Sequence, residues 1–533
     1  MFYMFFLFFS PQLYYTLLQA SGFVRLPADF YNKRSPSGGN HMSINPAPLR
    51  RVREFEREQA VLIPAHERPL FHLTPLVGWM NDPNGFCWYN GQYHLFYQYH
   101  PFSRSWGPMH WGHAVSKDLL HWTYEPCALA PDTAADAGGC FSGSAVPMPD
   151  GRLMLMYTGV QPAGTFRRET QAQCVAFGDG VNFEKSLLNP VIRHAHLPQK
   201  GYSPFDFRDP KVWQDEKDGL YYLVAGNRHE ERQGTIVLFS SRDGLDWQFR
   251  GELDASSSEY GRMWECPDFF PLGEKQVLIV SPQEMHAREE FHAGYGTVAL
   301  IGTFDKAHCR FVREEVRPVD HGLNFYAPQT VQAPDGRRIM IGWMDNWETC
   351  KEAPRRHAWY GQMSAPREVT LENGRLMQRP VREFETLWQD TVTHENISVQ
   401  QETALPGVSG RLLDLSVTLY ADSSSCRRFI LRVARGEGHY VQILCELARG
   451  ELVFDRSRGG SHRDIAHTRH VTAEMRDGRL SLRLLMDKES VELFINGGER
   501  VVTSLIPTPL ESDGITFAAD APIRVDVTAH HLG

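Results

Sequence analysis

No Cys-x-x-Cys pair and no His/Cys spacing of the zinc type occurs in the sequence, which excludes the common structural zinc folds. The nine cysteines stand singly, at 87, 127, 140, 174, 266, 309, 350, 426 and 445. Their odd number and scatter suit a reducing, cytoplasmic setting in which most thiols act as small buried apolar groups. Basic charge is short: 55 Lys and Arg stand against 64 Asp and Glu, a formal net charge of −9 with a pI near 6.2. That balance argues against nucleic acid or an anionic membrane as a partner. The uncharged opening stretch, MFYMFFLFFSPQLYYTLLQASGF, is interrupted by Pro11 after nine residues, too short a run to span a bilayer. It also lacks the positive n-region of an export signal. The expectation is an over-extended start ahead of Met42, which charged LRRVREFEREQA soon follows; secretion on a signal, or a peripheral anchor, is the alternative. There is no phosphate-cradling Gly-rich loop and no Ser-His-Asp signature. His110 and His113 have no third ligand at useful spacing, so neither a metal nor another cofactor is expected.

Aromatics are plentiful. They make up 12% of the chain, with 12 Trp, alongside 42% apolar and 22% charged residues. That is globular composition, and 533 residues exceed one ordinary core, so two domains are expected. Five segments share one design, a tight turn followed by a short β-rich run: NGQYHLFYQYH from 90, DGRLMLMYTGV from 150, DGLYYLVAGNR from 218, GEKQVLIVSPQ from 273 and DGRRIMIGWMD from 335. A second echo, an acidic turn with an aromatic soon after, follows four of them: SKDLLHW at 116, FGDGVNF at 177, SRDGLDW at 241 and FDKAHCRF at 304. Five repeats, each long enough for about four short strands, describe a five-bladed β-propeller. After about residue 366 the pattern changes. REFETLWQ (382–389) predicts a short amphipathic helix, and six alternating strands beyond it, from RLLDLSVTLY to GITFAAD, predict a β-sandwich. The fold class is therefore all-β. The expected divisions are an N-terminal extension over 1–65, poorly ordered at its start, a propeller over 66–366, a linker with a short helix over 367–392 and a sandwich over 393–533.

Three stretches of the propeller set a carboxylate among aromatics and prolines: WMNDPNG with Asp82, FDFRDPKVW with Arg208 and Asp209, and MWECPDFF with Glu265. Asn-Asp-Pro-Asn-Gly is dense turn chemistry, and a tight turn presenting Asp82 is predicted. A single such acid is more often structural, but blades bring loop ends together at one mouth, where three acids can converge. Two carboxylates flanking a bond are the minimum equipment for glycoside hydrolysis, with environments that separate their protonation. Glu265, between Trp264 and Cys266, suits a desolvated acid; Asp82, in a turn rich in donors, suits an ionised nucleophile. Trp106 and Trp111 offer faces for a sugar ring, while Gln98, Phe141, Ser142 and Trp343 offer hydrogen bonds or apolar walls.

In these residues the sequence resembles glycoside hydrolase family 32, the β-fructofuranosidases. WMNDPNG, FSGS, FRDP and WEC occur in the family's order, DKESVELFING (487–497) is similar to its C-terminal signature, and the resemblance extends over roughly 70 to 530. It implies that Asp82 is the nucleophile, Glu265 the general acid/base and Asp209 a transition-state stabiliser that holds fructose hydroxyls. It implies that Arg208 bonds the substrate and balances the acids, that Cys266 tunes its neighbour, and that Asn81, Gln98, Trp106, Phe141, Ser142 and Trp343 contact sugar. The implied activity is retaining, exo-acting cleavage of a terminal β-fructofuranosyl bond in sucrose, sucrose 6-phosphate or a short fructan. WGPMHWGHAVSKDLLHW and the thiol-rich chain resemble the bacterial intracellular sucrose-6-phosphate hydrolase branch. The rivals are an inverting arabinan- or xylan-cleaving propeller, an exo-fructanase, and a non-catalytic sugar-binding propeller. The sandwich is a candidate surface for self-association, and no stable membrane association is expected.

Overall fold

The computed structural model describes residues 47–163, 168–198, 200–350, 357–420, 425–460 and 465–533. The opening stretch and the Met42 start lie outside them. Among the described residues no helix is long and apolar enough to cross a membrane. The strands among the described residues form seven sheets. Five belong to a propeller of five blades, and a six-stranded and a five-stranded sheet form the β-sandwich that follows.

The turn-strand repeats are the second strands of the blades: Gln92–His100, Leu153–Gln161, Tyr221–His229, Lys275–Gln283 and Arg338–Trp343. Each follows a tight turn because Asn-Gly, Asp-Gly or Gly-Glu supplies the backbone freedom a hairpin needs. The second echo marks the turns between the third and fourth strands of blades one to four. The fifth sheet runs on through Arg367–Glu372 and Arg375–Pro380, past the boundary expected at 366. The predicted helix is a 3-10 segment, Arg382–Leu387. It is short because Trp388–Val399 is already an edge strand of the sandwich. The propeller is closed by a short strand from the blade-five region, Trp359–Tyr360, which pairs in parallel with Gly78 and Trp79 of blade one.

The first strands of the blades are Gly78–Tyr89, Gly139–Pro147, Tyr202–Gln214, Met263–Leu272 and Tyr326–Gln332. Asn-Asp-Pro-Asn-Gly is not a turn; it lies inside the first of these. Its turn residues serve a β-bulge instead, since the register slips between Met80 and Pro83. Every one of the five strands slips at the matching place, at Ser142, at Asp209-Pro210, at Cys266-Pro267 and at Ala327-Pro328. Proline lacks a backbone N–H, so it is tolerated where the ladder is already broken. Three bulge residues take left-handed backbone: Asp209 at φ 64°, Cys266 at 47° and Ala327 at 50°.

Side chains alternate along a strand, so two residues beyond each bulge a side chain enters the same channel again. Those positions are Asn84, Ser144, Lys211, Asp268 and Gln329, and they plug the axis with polar groups. Gly143 N donates to Asn84 Oδ1 at 3.3 Å, and Ser144 Oγ donates to the Pro210 carbonyl at 2.7 Å. Lys211 pairs with Asp268 at 3.1 Å, and Gln329 Nε2 donates to the Gly143 carbonyl at 2.7 Å. The ring ties each blade to others and floors the cavity above it.

The sandwich core is one continuous apolar cluster that includes Leu415, Phe429, Ile443, Phe454, Leu484 and Val527. It docks on the propeller through buried charge. His72 lies between Asp487 (2.9 Å) and Glu492 (3.0 Å), and Arg367 bonds Asp320 and Glu492. Asp487 and Glu492 come from DKESVELFING, so that stretch serves domain docking. The helix Ala47–Ala60 lies on blade one, where Arg53 Nε donates to the Cys127 carbonyl at 2.9 Å.

Candidate active site

A cavity of about 420 Å³ opens at the bulged end of the first strands. Its lining includes Asn81, Asp82, Gln98, Trp106, Phe141, Ser142, Arg208, Asp209 and Glu265, all expected from the sequence. Arg168, Glu169, Gln171, Phe205, Asp206, Gln283, Tyr295 and Trp347 join them. Asp82 and Asp209 sit at the buried floor, at 8% and 5% exposure, while Trp106 stands at the rim, 49% exposed.

The bulges aim the floor. Asp82 Oδ2 accepts from Ser142 Oγ at 2.6 Å and lies 3.5 Å from Cys266 Sγ. Its other oxygen, Oδ1, is buried without a hydrogen-bond partner among the described residues. Burial pushes the Asp82 carboxyl up to about 6, the Ser142 hydrogen bond opposing and the Glu265 charge adding. The donors of the motif therefore do not hold it at an exposed aspartate's value; it is ionised above about pH 6. Asp209 is anchored by two backbone-linked contacts: its own N–H donates to Thr158 Oγ1 at 2.9 Å, and Cys266 N–H donates to its Oδ2 at 3.0 Å. Burial raises its pKa against the pull of Arg208. The Cys266 thiol is likewise pushed up by burial and by Asp209 and Asp82, which keeps it a neutral S–H donor between two acids.

Glu265 does not lean on its sequence neighbour Trp264. Successive residues of a strand face opposite ways, and Trp264 enters the blade core, its Nε1 donating to the Tyr260 carbonyl at 2.7 Å. The partners of Glu265 are polar. Arg208 Nε donates to Oε1 at 3.1 Å, and Arg208 Nη1 also reaches Gln171 and Asp206, each at 3.2 Å. Tyr326 Oη stands 2.7 Å from Glu265 Oε2 and 2.9 Å from the Ser281 carbonyl. One hydroxyl proton cannot serve both, and a carbonyl only accepts. The Tyr326 proton therefore goes to one of the two at a time, the Glu265 carboxyl or the Ser281 carbonyl.

Two aromatic expectations fail for one reason, the inward packing of the strands. Trp111 is fully buried in the core between blades one and two, its Nε1 donating to the Phe141 carbonyl at 3.1 Å. Trp343 is fully buried behind the floor against Trp79 and Trp347, and it is Trp347 that lines the cavity. Tyr326 was not singled out from the sequence, although FYAPQT repeats the residue-Pro step of NDPNG, RDPKV and ECPDF. Gln171, Asp206 and Tyr295 had no such mark. Among the described residues no three His, Cys, Asp or Glu side chains cluster as a metal site requires. All nine cysteines are buried.

Comparison with known proteins follows the same lines. The N-terminal domain model of glycosyl hydrolases family 32 matches residues 72–380, and the family's C-terminal model matches 383–531. The chain is 38% identical over 487 residues to an Escherichia coli sucrose-6-phosphate hydrolase, covering 86% of this chain and 95% of the relative. A Bombyx mori family 32 beta-fructofuranosidase superposes with a TM-score of 0.77 at 33% identity, covering 91% of this chain and 97% of that one. A Lactobacillus gasseri sucrose-6-phosphate hydrolase superposes with a TM-score of 0.78 at 27% identity, covering 91% and 96%. The chain belongs to glycosyl hydrolase family 32.

Proposed function

We propose that the protein is a retaining β-fructofuranosidase that releases the terminal β-D-fructofuranosyl unit of sucrose or sucrose 6-phosphate. The observation that carries this reading is Asp82: one oxygen tied down, the other buried and unpaired in the cavity that also holds Glu265. Oδ1 attacks the anomeric carbon of the fructosyl unit while Glu265 protonates the departing glycosidic oxygen. The fructosyl–Asp82 ester is then opened by water, whose proton returns to Glu265, so configuration is retained. Asp209 and Arg208 hold fructose hydroxyls at the floor; Asn81, Gln98, Phe141, Trp106 and Trp347 shape the rest. The similar Bombyx mori enzyme, carrying an Asp-to-Ala substitution, has been solved with sucrose bound.

Turnover of sucrose, with product configuration followed by NMR, tests the reading. Glu265→Gln is expected to lower kcat by about 10²- to 10⁴-fold, the usual share of general acid–base catalysis. Asp82→Ala is expected to fall further, because no ester can form. Tyr326→Phe lowers kcat more than it changes KM, since its hydroxyl serves the proton of Glu265. Near-wild-type hydrolysis by the Asp82 or Glu265 variant would overturn the assignment.

An exo-fructanase is the second reading. A Bacillus subtilis levanase is 33% identical over 497 residues, covering 87% of this chain and 70% of the relative. Turnover of inulin beside that of the two disaccharides separates the readings. Nine buried cysteines, scattered singly along the chain, support a cytoplasmic setting, which cell fractionation checks.

A further inference from the structure

The cavity lining is electrostatically lopsided. It holds five carboxylates, Asp82, Glu169, Asp206, Asp209 and Glu265, and two cations, Arg168 and Arg208. Arg208 is committed at the floor to Glu265, Asp206 and Gln171. Arg168 is not: among the described residues it forms no ion pair or hydrogen bond, and its guanidinium lies over the Phe205 ring, 4.5 Å from the centroid. Stacking uses the flat face of a guanidinium and leaves its five N–H donors pointing outward in the plane. It also fixes the group's orientation, so less freedom remains to be lost when a ligand binds. Arg168 is exposed at the mouth, whereas the fructosyl-binding acids are buried at the floor. The sugar that departs is therefore the one within its reach.

Resting on the β-fructofuranosidase reading above, we propose that Arg168, stacked on Phe205, is the specificity-determining residue that recognises a phosphate ester on the departing sugar. A phosphate matches the guanidinium fork bidentately, which a neutral hydroxyl does not. A phosphate dianion entering a mouth edged by Glu169 and Asp206 is repelled unless one cation there is uncommitted, and Arg168 is that cation. Phe205 is the positioning residue: it holds the guanidinium flat at the rim.

The test is the ratio of kcat/KM for sucrose 6-phosphate to that for sucrose, in the wild type, Arg168→Ala and Arg168→Lys. A charged hydrogen-bonding contact is worth about 1.5–3 kcal/mol, so the ratio is expected to fall about 10- to 100-fold in Arg168→Ala. Arg168→Lys keeps the charge without the fork and falls between. In the wild type, glucose 6-phosphate inhibits more strongly than glucose, and the difference shrinks as salt is raised. A wild type with no preference for the phosphate ester overturns the inference, as does a ratio unchanged within about twofold in Arg168→Ala; sucrose turnover would survive both, leaving the β-fructofuranosidase reading intact. A wild type that cleaves neither disaccharide overturns that reading, and the inference with it.

Discussion

Asp82 shows how little of a buried carboxylate's behaviour resides in its own chemistry. Its Oδ2 is held by a serine 60 residues away and approached by a thiol 184 residues away. Burial lifts its carboxyl to about 6, and the Ser142 hydrogen bond holds it below where burial alone would put it. The attack proposed for Asp82 needs the ionised form, so on that reading kcat/KM is expected to fall as pH drops through about 6. Ser142→Ala removes a bond that favours ionisation, and the acid limb of the pH profile therefore moves to higher pH. A limb that stays in place would mean that Ser142 positions Asp82 without tuning it. The three acids were legible because each stands in a short motif of unusual company. Tyr326 was not, because a tyrosine beside Ala-Pro becomes a partner of Glu265 only when blades four and five are side by side.

At the scale of the element, one device recurs: a bulge in the first strand of each blade, with a polar residue two positions beyond it in the axial plug; in blades one to four the bulge also brings a residue to the cavity. Four blades meet the bulge with a proline in the second place; blade two uses Ser142-Gly143. Gly143 is required there by space, since a Cβ would stand 2.0 Å from the Met156 carbonyl oxygen. Gly143→Ala is expected to destabilise the protein by about 1–3 kcal/mol or more, as overpacking does, and to lower activity by displacing Ser142 next to it. Thermal melts beside sucrose turnover check it; an unaltered melting temperature would show that blade two can give way. Strand existence was legible from alternation and turn residues. The bulges were not, because Asp-Pro-Asn-Gly has the same letters whether it reverses the chain or kinks a strand.

The whole molecule depends on buried charge between its two domains. Burial alone would lower the His72 pKa, but the hydrogen bonds and charges of Asp487 and Glu492 outweigh it and hold His72 at about 9. Despite burial, His72 in turn holds Asp487 below the usual carboxylate range, and Arg367 and His72 do the same for Glu492. A histidine raised on folding stabilises fully below its unfolded value near 6.5 and loses that contribution as pH rises through 9. The depressed acids contribute above their unfolded values near 4, and that share is lost as pH falls below them. The thermal midpoint is therefore expected to decline between pH 6.5 and 9.5. His72→Leu leaves two buried carboxylates with a lost partner, so it should cost about 3–5 kcal/mol near neutral pH and flatten the alkaline decline. An equal decline in the variant would remove His72 as its cause.

By itself the sequence determines that this chain is all-β, that five similar units precede a sandwich, and that Asp82, Asp209 and Glu265 stand in company unlike that of surface acids. Those properties are local: alternation, turn chemistry and short motifs are written within a dozen residues. Tertiary structure alone decides the rest. It sends Trp264, Trp111 and Trp343 into the core and leaves Trp347 and Trp106 at the cavity, because strand alternation and blade packing choose the face each ring takes. It decides which oxygen of Asp82 is unpaired, which hydroxyl attends Glu265 and which arginine is uncommitted at the mouth. Each is a contact between residues far apart in the chain, and burial in a shared low-dielectric site gives each its strength.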